Sequence, residues 1–227
     1  MTLVTGIKEK IVAVNERLEK AASRSGRSLK DITLVAVTKG AKLETVLEAR
    51  EAGLGVFAEN RVQEALTKVP QVASEWHMVG HLQSNKVRPA LELFQMIQSV
   101  DTLRLAERIN EEALAMNRVV PVLLEVNISG EAQKYGFRPE EIYSAVEAAA
   151  ALPQIKVMGL MGLAPAGEEE APKREAFKKL RNLFSVCKTL KNKNIEMKHL
   201  SMGMSDDFEI AVEEASNMVR IGRAIFR

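Results

Sequence analysis

The chain repeats one pattern: a short apolar run, rich in β-branched residues, is followed by a longer stretch with apolar and charged positions at helical spacing. Eight of the apolar runs have the length and composition of buried strands. They are ITLVAVT (32–38), LGVFA (54–58), WHMVG (76–80), MIQSV (96–100), VVPVLLEVNI (119–128), KVMGLM (156–161), MKHLS (197–201) and MVRIG (218–222).

Amphipathic stretches lie between these runs, and another precedes them at residues 1–22. Those between the runs include KLETVLEAREA (42–52), TLRLAERINEEALAM (102–116), PEEIYSAVEAAAAL (139–152) and PKREAFKKLRNLFSVCKTLKNK (172–193). Eight alternations in 227 residues predict an α/β fold: a single (β/α)₈ TIM barrel over residues 1–227, with an extra N-terminal helix. An open, doubly wound sheet is the competing topology, because alternation alone does not establish closure.

Three helix starts are predicted from polar residues that precede helical stretches. Asn60 followed by Gln63 has the form of a capping box, and Asp101 is placed as the N-cap of the stretch that begins at residue 102. Ser205 is predicted to cap the helix that follows the seventh strand.

Charge and cysteine content narrow the functional classes. Thirty-two Lys and Arg oppose thirty Asp and Glu, which gives no basis for binding nucleic acid or an anionic membrane, and the expected partner is a small molecule. No apolar stretch is long enough for a membrane span or fits a signal peptide. The single cysteine, Cys187, excludes an internal disulfide, so a reducing, cytoplasmic location is expected.

Polar residues at the carboxyl ends of the strands are candidates for chemistry, because the βα loops of such barrels form the active face. Lys39 ends the first strand. One interpretation is a lysine whose stem is buried at the sheet rim and whose ammonium stays in water. The other is an amine that forms a Schiff base, once burial or a neighbouring cation such as Arg220 makes the neutral form available.

Strands seven and eight end in segments suited to a phosphate group, since the corresponding loops of such barrels frequently bind one. Ser201 opens the loop SMGMS, and the turn Gly222–Arg223–Ala224 follows the last strand. Acidic residues after Ser205 disfavour an anion at that helix start, so the phosphate is expected between Ser201 and the Gly222 turn.

Arg220 lies within the eighth strand, where an unpaired charge is unfavourable. It either forms an ion pair inside the barrel with an acid such as Glu125, or it faces a ligand's ring nitrogen and disfavours protonation of that nitrogen. His77 and His199 lie inside strands and are predicted to be core residues. Glu59 either orients Asn60 or Lys39, or it has a capping or solvent-exposed role.

Seven segments together resemble the pyridoxal phosphate homeostasis protein family, of the YggS or PROSC type, which is related to the N-terminal domain of alanine racemase. They run from Val35 almost to the end of the chain, at Phe226. They are LVAVTKG, FAENRVQEA, WHMVGHLQSNKVR, SVDTLRLAERIN, VLLEVNISGEAQKYGF, VMGLMGLAP and LSMGMSDDFEIAVEEASNMVRIGRAIF. The resemblance implies an alanine racemase N-terminal domain-like barrel that holds pyridoxal 5′-phosphate (PLP).

The resemblance also implies roles for ten residues of this sequence. Lys39 holds PLP as a Schiff base and Arg220 faces its pyridine nitrogen. Val37 lines the same strand as Lys39, and Met161 packs on the ring. Ser201, Ser205, Gly222 and Arg223 bind the phosphate or lie beside it. Asn60 and His81 border the pocket. Arg223 stands where a small hydroxylated residue is common in the family, so its backbone N–H is the expected phosphate contact.

The family points to cofactor handling without turnover, with PLP-dependent apoenzymes as possible acceptors. Racemisation needs a second base, which alanine racemase takes from a tyrosine of another domain, and neither Tyr135 nor Tyr143 closely follows a strand end. In the racemases that second domain also forms part of the dimer interface. Because this sequence contains no counterpart of it, a monomer is expected. The alternatives are a PLP-dependent amino-acid racemase and a phosphate-sugar aldolase that uses Lys39 without a cofactor.

Overall fold

The computed structural model describes residues 6–131 and 133–227. Eight strands form one closed barrel in the order β1 to β8, with every neighbouring pair parallel. Closure occurs where β1 (Thr33–Val37) pairs with β8 (Met218–Ile221). The predicted barrel is therefore confirmed, and the open-sheet alternative is wrong.

The other strands are β2 (Val56–Glu59), β3 (Glu75–Met78), β4 (Met96–Val100), β5 (Val120–Val126), β6 (Ile155–Gly162) and β7 (Ile195–Ser201). The described helices are α1 (Ile7–Arg24), α2 (Leu43–Glu51), α3 (Val62–Lys68), α4 (Val87–Leu93), α5 (Leu103–Ala115), α6 (Ile142–Ala150), α7 (Glu170–Cys187), α8 (Phe208–Glu213) and α9 (Arg223–Phe226). Each predicted strand coincides with an observed one to within a few residues, because buried parallel strands read as continuous apolar runs.

The extra N-terminal helix is present as α1, although residues 1–5 of the predicted stretch lie outside the described part of the chain. Its buried residues recur at helical spacing: Ile11, Val14, Leu18, Ala21 and Ala22. The helix packs on α8 and α9, so it covers the seam where the barrel closes.

Apolar side chains form two clusters. The larger lies between the strands and the surrounding helices, whereas the smaller lies within the barrel. The interior cluster comprises Val35, Ala58, Met96, Leu123, Met161 and Met218. Buried polar side chains also lie inside the barrel, among them His77, Gln98, Ser201 and Arg220.

The three predicted caps are wrong. Helix α3 has Arg61 at its N-cap and α8 has Asp207, neither with a capping side-chain bond. At α5 the cap is Thr102, whose hydroxyl accepts the Leu105 N–H at 3.2 Å. Asp101 is instead bonded to a histidine at the barrel mouth. The Asp101 carboxylate and the Ser205 hydroxyl make longer-range contacts instead, to His81 and to the Ala224 N–H.

Among the described helices, none combines the length and hydrophobicity that crossing a membrane requires.

Candidate functional site

A cavity of about 310 Å³ opens at the carboxyl ends of the barrel strands. Its lining residues come from the ends of β1, β2, β3, β6, β7 and β8, so barrel closure alone assembles it. They are Val37, Lys39, Asn60, Val79, Leu163, Met204, Ser205, Arg220, Gly222, Arg223, Phe226 and Arg227. The volume is at the lower end of the range for small-molecule sites, roughly 300–1,000 Å³.

A buried ion pair fixes the backbone that carries Lys39. Glu59 is fully buried, and its Oε1 accepts hydrogen bonds from Thr38 Oγ1 at 2.5 Å and from Lys68 Nζ at 2.6 Å. Lys68 Nζ also donates to the Thr38 carbonyl at 2.7 Å. The residue directly before Lys39 is therefore held through both its side chain and its carbonyl. Of the two roles considered for Glu59, the structure supports orientation of its neighbours.

Lys39 itself is exposed, and its Nζ has no hydrogen bond or ion pair with any residue of the described ranges. The next N–H, that of Gly40, donates to Glu64 Oε2 at 3.2 Å. The backbone beside Lys39 is thus anchored, while the Lys39 amine has no polar partner among the described residues. Such a group suits a reaction with a ligand that enters the cavity.

Arg220 is the opposite case, because its guanidinium is held inside the barrel and only 4% of the residue is exposed. Nη1 donates to Ser201 Oγ at 2.6 Å and Nη2 donates to the Gly162 carbonyl at 2.9 Å. Burial lowers the pKa of Arg220 to about 10, and the charges of Glu125 and Asp207 partly oppose that shift. The side chain therefore stays cationic at neutral pH.

Of the two roles considered for Arg220, the ion pair with Glu125 does not form within the described ranges, since the two groups are not in salt-bridge contact. Glu125 is 7% exposed, and burial, followed by the charge of Asp101, raises its pKa to about 7. Asp101 in turn bonds His81 Nδ1 at 2.7 Å. The carboxyl group of Glu125 therefore exchanges its proton close to neutral pH.

Ser205 and the turn after β8 form the far wall of the cavity. Ser205 Oγ accepts the Ala224 N–H at 3.3 Å. A Cβ added to Gly222 would lie 3.0 Å from the Val37 carbonyl oxygen, so a side chain there would crowd the wall. Arg223 is the first residue of α9, so its N–H has no acceptor within that helix. The side chain of Arg223 pairs with Asp206 on the surface.

A second cavity of about 380 Å³ adjoins the first and shares Lys39 and Asn60 with it. His81 lines it, held by Asp101 and stacked on the ring of Tyr135 with centroids 3.9 Å apart. Close approach of two loops shapes this cavity, because a Cβ on Gly80 would lie 2.3 Å from the Asn60 carbonyl oxygen. Tyr135 therefore reaches the barrel mouth, which its position in the sequence did not indicate.

In the described part of the chain, no three or more His, Cys, Asp or Glu side chains are grouped so that they could hold a metal ion.

Comparison with known proteins identifies the family. The model of the alanine racemase N-terminal domain matches residues 12–227. The pyridoxal phosphate homeostasis protein of Pseudomonas aeruginosa is 42% identical over 223 residues, which cover 97% of this chain and 94% of that protein. The protein of the same name from Aquifex aeolicus is 40% identical, with 96% of each chain covered. The chain belongs to the pyridoxal phosphate homeostasis protein family.

A solved structure supports the same family. PipY of Synechococcus elongatus, determined with PLP bound, has a TM-score of 0.83 and 30% identity, and the match covers 97% of this chain and all of that one. The family assignment therefore confirms the resemblance seen in the motifs, and the barrel is of the alanine racemase N-terminal type.

Seven of the ten residues predicted for the site line the first cavity, and one more lines the adjoining cavity. Those in the first cavity are Val37, Lys39, Asn60, Ser205, Arg220, Gly222 and Arg223; Lys39 and Asn60 also line the second cavity, and His81 lines the second only. Their contact with a cofactor stays a prediction.

The remaining two predicted residues are placed elsewhere by the structure. Ser201 is fully buried and does not line the cavity, because its hydroxyl is bonded to Gln98 and Arg220. Met161 is 1% exposed and packs in the interior cluster below the cavity floor. A residue at the end of a barrel strand can point at a neighbouring strand instead of the opening, and strand position alone does not distinguish the two.

Proposed function

We propose that this protein binds PLP as a Schiff base on Lys39 and takes part in intracellular PLP homeostasis without catalytic turnover, as a single barrel domain. The observation that carries the proposal is the pairing in one cavity of an unoccupied lysine amine with a buried, immobilised arginine. Its relatives named pyridoxal phosphate homeostasis proteins, and PipY with its bound PLP, support the same ligand.

The cavity has the donor set that PLP requires. A free primary amine stands at one side, at Lys39, and a permanent cation at the base, at Arg220. The Gly222 turn lines the cavity and presents the Arg223 N–H, with the Ser205 hydroxyl beside it. Phosphate is commonly bound by such N–H groups and hydroxyls. Asn60 borders the opening on the lysine side.

When bound, PLP supplies an aldehyde that condenses with a primary amine, and we assign that amine to Lys39. The anchored Thr38 backbone keeps the lysine at the rim while its side chain remains free to move. Arg220 would donate a hydrogen bond to the ring nitrogen of the cofactor, and its positive charge would disfavour a proton on that nitrogen. An unprotonated ring withdraws electrons less strongly, which favours holding the cofactor over using it for carbanion chemistry.

A second candidate is a slow amino-acid racemase, which one observation favours. His81 is fixed by Asp101 at 2.7 Å and lines a cavity continuous with the lysine site, so it could act as a second general base. Incubating PLP-loaded protein with L-alanine in D₂O tests this. Deuterium at Cα or loss of optical activity, abolished in His81→Ala, supports turnover, whereas no change over many hours supports the carrier function.

Absorption spectroscopy and mass mapping test the proposed function. Protein loaded with PLP should absorb visible light, lose that band on borohydride reduction, and carry a single pyridoxyl adduct on Lys39. Lys39→Ala should show neither band nor adduct, whereas Lys42→Ala, three residues away and outside both cavities, should match the wild type. An adduct on Lys42 or Lys86 contradicts the assignment. A colourless wild-type protein that still cleaves a sugar phosphate would favour the aldolase.

We further propose that the protein is a cytoplasmic monomer that delivers PLP to apoenzymes. Its exposed large apolar side chains are scattered over several elements, as on a typical monomer, and include Val12, Leu47, Leu66, Leu114, Tyr143 and Val186. Cys187 is a free thiol, and a chain with no disulfide among its described residues fits a reducing compartment. Light scattering of the purified protein and transfer of PLP to an apoenzyme across a dialysis membrane test these points.

A further inference from the structure

A chain of hydrogen bonds crosses the interior of the barrel and ends at Arg220. Arg220 Nη1 is 2.6 Å from Ser201 Oγ, which is 2.6 Å from Gln98 Oε1. Gln98 Nε2 is 2.8 Å from His77 Nδ1, and His77 Nε2 is 2.9 Å from Glu75 Oε1. The four strands involved are β3 and β4 on one wall and β7 and β8 on the other, so only a closed barrel brings these groups together.

Each donor in this chain can be assigned from the chemistry of its neighbours. A guanidinium only donates, so the Ser201 oxygen accepts from Arg220 and its single hydrogen goes to Gln98 Oε1. The Gln98 amide N–H₂ therefore faces His77 and, at 3.2 Å, the sulfur of Met218. His77 Nδ1 must then be unprotonated, and its Nε2–H donates to the Glu75 carboxylate. All donors point the same way, from Arg220 towards Glu75.

The middle members of this chain of hydrogen bonds are shielded from water. Ser201 and Gln98 are fully buried, and His77 is 1% exposed, so water does not replace a lost contact. Only the far end, at Glu75, reaches solvent, with half of its side chain exposed. A buried donor or acceptor without a partner is strongly unfavourable.

The orientation of the Gln98 amide decides what Ser201 offers to Arg220. If the amide were reversed, its N–H₂ would face Ser201 and occupy a lone pair of the serine oxygen, while the hydroxyl hydrogen would lose its acceptor. His77, through its unprotonated Nδ1, prevents that reversal. The Gly162 carbonyl is the second acceptor of the guanidinium, and it fixes one nitrogen only. The plane of the guanidinium therefore depends on Ser201 as well.

We propose that Gln98 and His77 are positioning residues for Arg220, acting through Ser201 to fix the guanidinium in the plane in which it meets the cofactor's ring nitrogen. The last part rests on the proposed PLP function, whereas the direction of the hydrogen bonds does not. Neither residue was assigned to the site from the sequence, since His77 reads as core and Gln98 lies mid-strand.

Nitrogen NMR of the imidazoles tests the direction without any cofactor. The chain has three histidines, so long-range ¹H–¹⁵N spectra can be assigned by single substitutions. We expect Nδ1 of His77 to be unprotonated and Nε2 to carry the proton. In Gln98→Glu, which keeps the side-chain shape but offers only acceptors, we expect Nδ1 of His77 to become protonated. A wild-type His77 protonated on Nδ1, or a Gln98→Glu spectrum identical to wild type, would overturn the proposal.

PLP binding tests the effect on Arg220. In Gln98→Leu we expect the dissociation constant for PLP to rise at least about tenfold, comparable to losing one buried hydrogen bond to a charged group, and the visible band to shift. The matched control is Ser216→Ala, which also removes a fully buried hydroxyl but one bonded only to the Leu200, Met202 and Met218 carbonyls. It should leave affinity, band and His77 tautomer unchanged.

The outcomes separate the two proposals. Wild-type protein that binds no PLP contradicts the proposed function, and the NMR result then still decides the hydrogen-bond direction. Equal PLP affinity and spectrum in Gln98→Leu and Ser216→Ala contradicts the positioning role. If Gln98→Leu does not fold, Gln98→Glu provides the same comparison, with weaker PLP binding expected because its carboxylate competes for the charge of Arg220.

Discussion

The two cationic residues of the cavity are held in opposite ways. On the lysine side, the buried Glu59–Lys68 pair anchors the backbone before Lys39, while the lysine amine itself has no partner among the described residues. On the arginine side, the charged group itself is fixed, by Ser201 and the Gly162 carbonyl, and 96% of the residue is out of solvent.

This difference follows from what each group is proposed to do. An amine that forms and releases a covalent bond must move and must exchange protons with water, so only its base is anchored. A guanidinium that sets the electronic state of a ring must keep one orientation, so its head is anchored. Lys39 is therefore held at its backbone, whereas Arg220 is held at its guanidinium.

The largest expected effect is on the lysine side. Glu59→Ala leaves Lys68 as an unpaired buried cation and removes the acceptor of the Thr38 hydroxyl. We expect a loss of about 3–5 kcal/mol in the free energy of unfolding, the usual cost of breaking a buried ion pair from one side. Urea denaturation measures it.

The double variant Glu59→Gln with Lys68→Met serves as the control for this experiment, because it removes both charges together. It should recover most of the lost stability. A Glu59→Ala protein within about 1 kcal/mol of the wild type would mean that the pair does not anchor the lysine side.

An intermediate and pH-dependent effect is expected on the arginine side, at Glu125. Its pKa in the folded protein, about 7, is above the usual 4.5, so the folded state binds the proton more tightly than the unfolded state. Stability is therefore lost as pH rises from 4.5 to 7 and is constant above that range, a loss of about 3 kcal/mol.

Glu125→Gln removes this dependence. Unfolding of both proteins should be compared from pH 5 to 8, where we expect the stability of the variant relative to the wild type to increase with pH. A constant difference across that range contradicts the raised pKa.

The smallest effect is expected for a carboxylate–cation pair that is exposed to solvent. Asp206 and Arg223 are each more than half exposed, in contrast to Glu59 and Lys68. We expect Asp206→Asn to change the free energy of unfolding by less than about 1 kcal/mol, and less still at high salt. A larger loss in the same denaturation assay would indicate that this turn is more ordered than its exposure implies.

Sequence reasoning located the residues at the strand ends but not the contacts behind them. Lys39, Arg220, Ser205 and Gly222 were identified because strand ends and loop composition are local features, and all four line the cavity. Lys68 carried no signal, since a lysine at the end of an amphipathic helix is typically solvated. The Asn60, Asp101 and Ser205 caps were wrong because capping competes with contacts that the sequence does not show.

The sequence by itself determined the order of strands and helices, the family and the residues of the rim, because periodicity and motifs are properties of neighbouring positions. Tertiary structure alone decided that the barrel closes, that Ser201 points to Gln98 across 103 residues instead of into the cavity, and that Glu59 and Lys68 meet. The physical reason is burial: once water is excluded, every polar group must find a partner, and which partner is within reach depends on the closed fold.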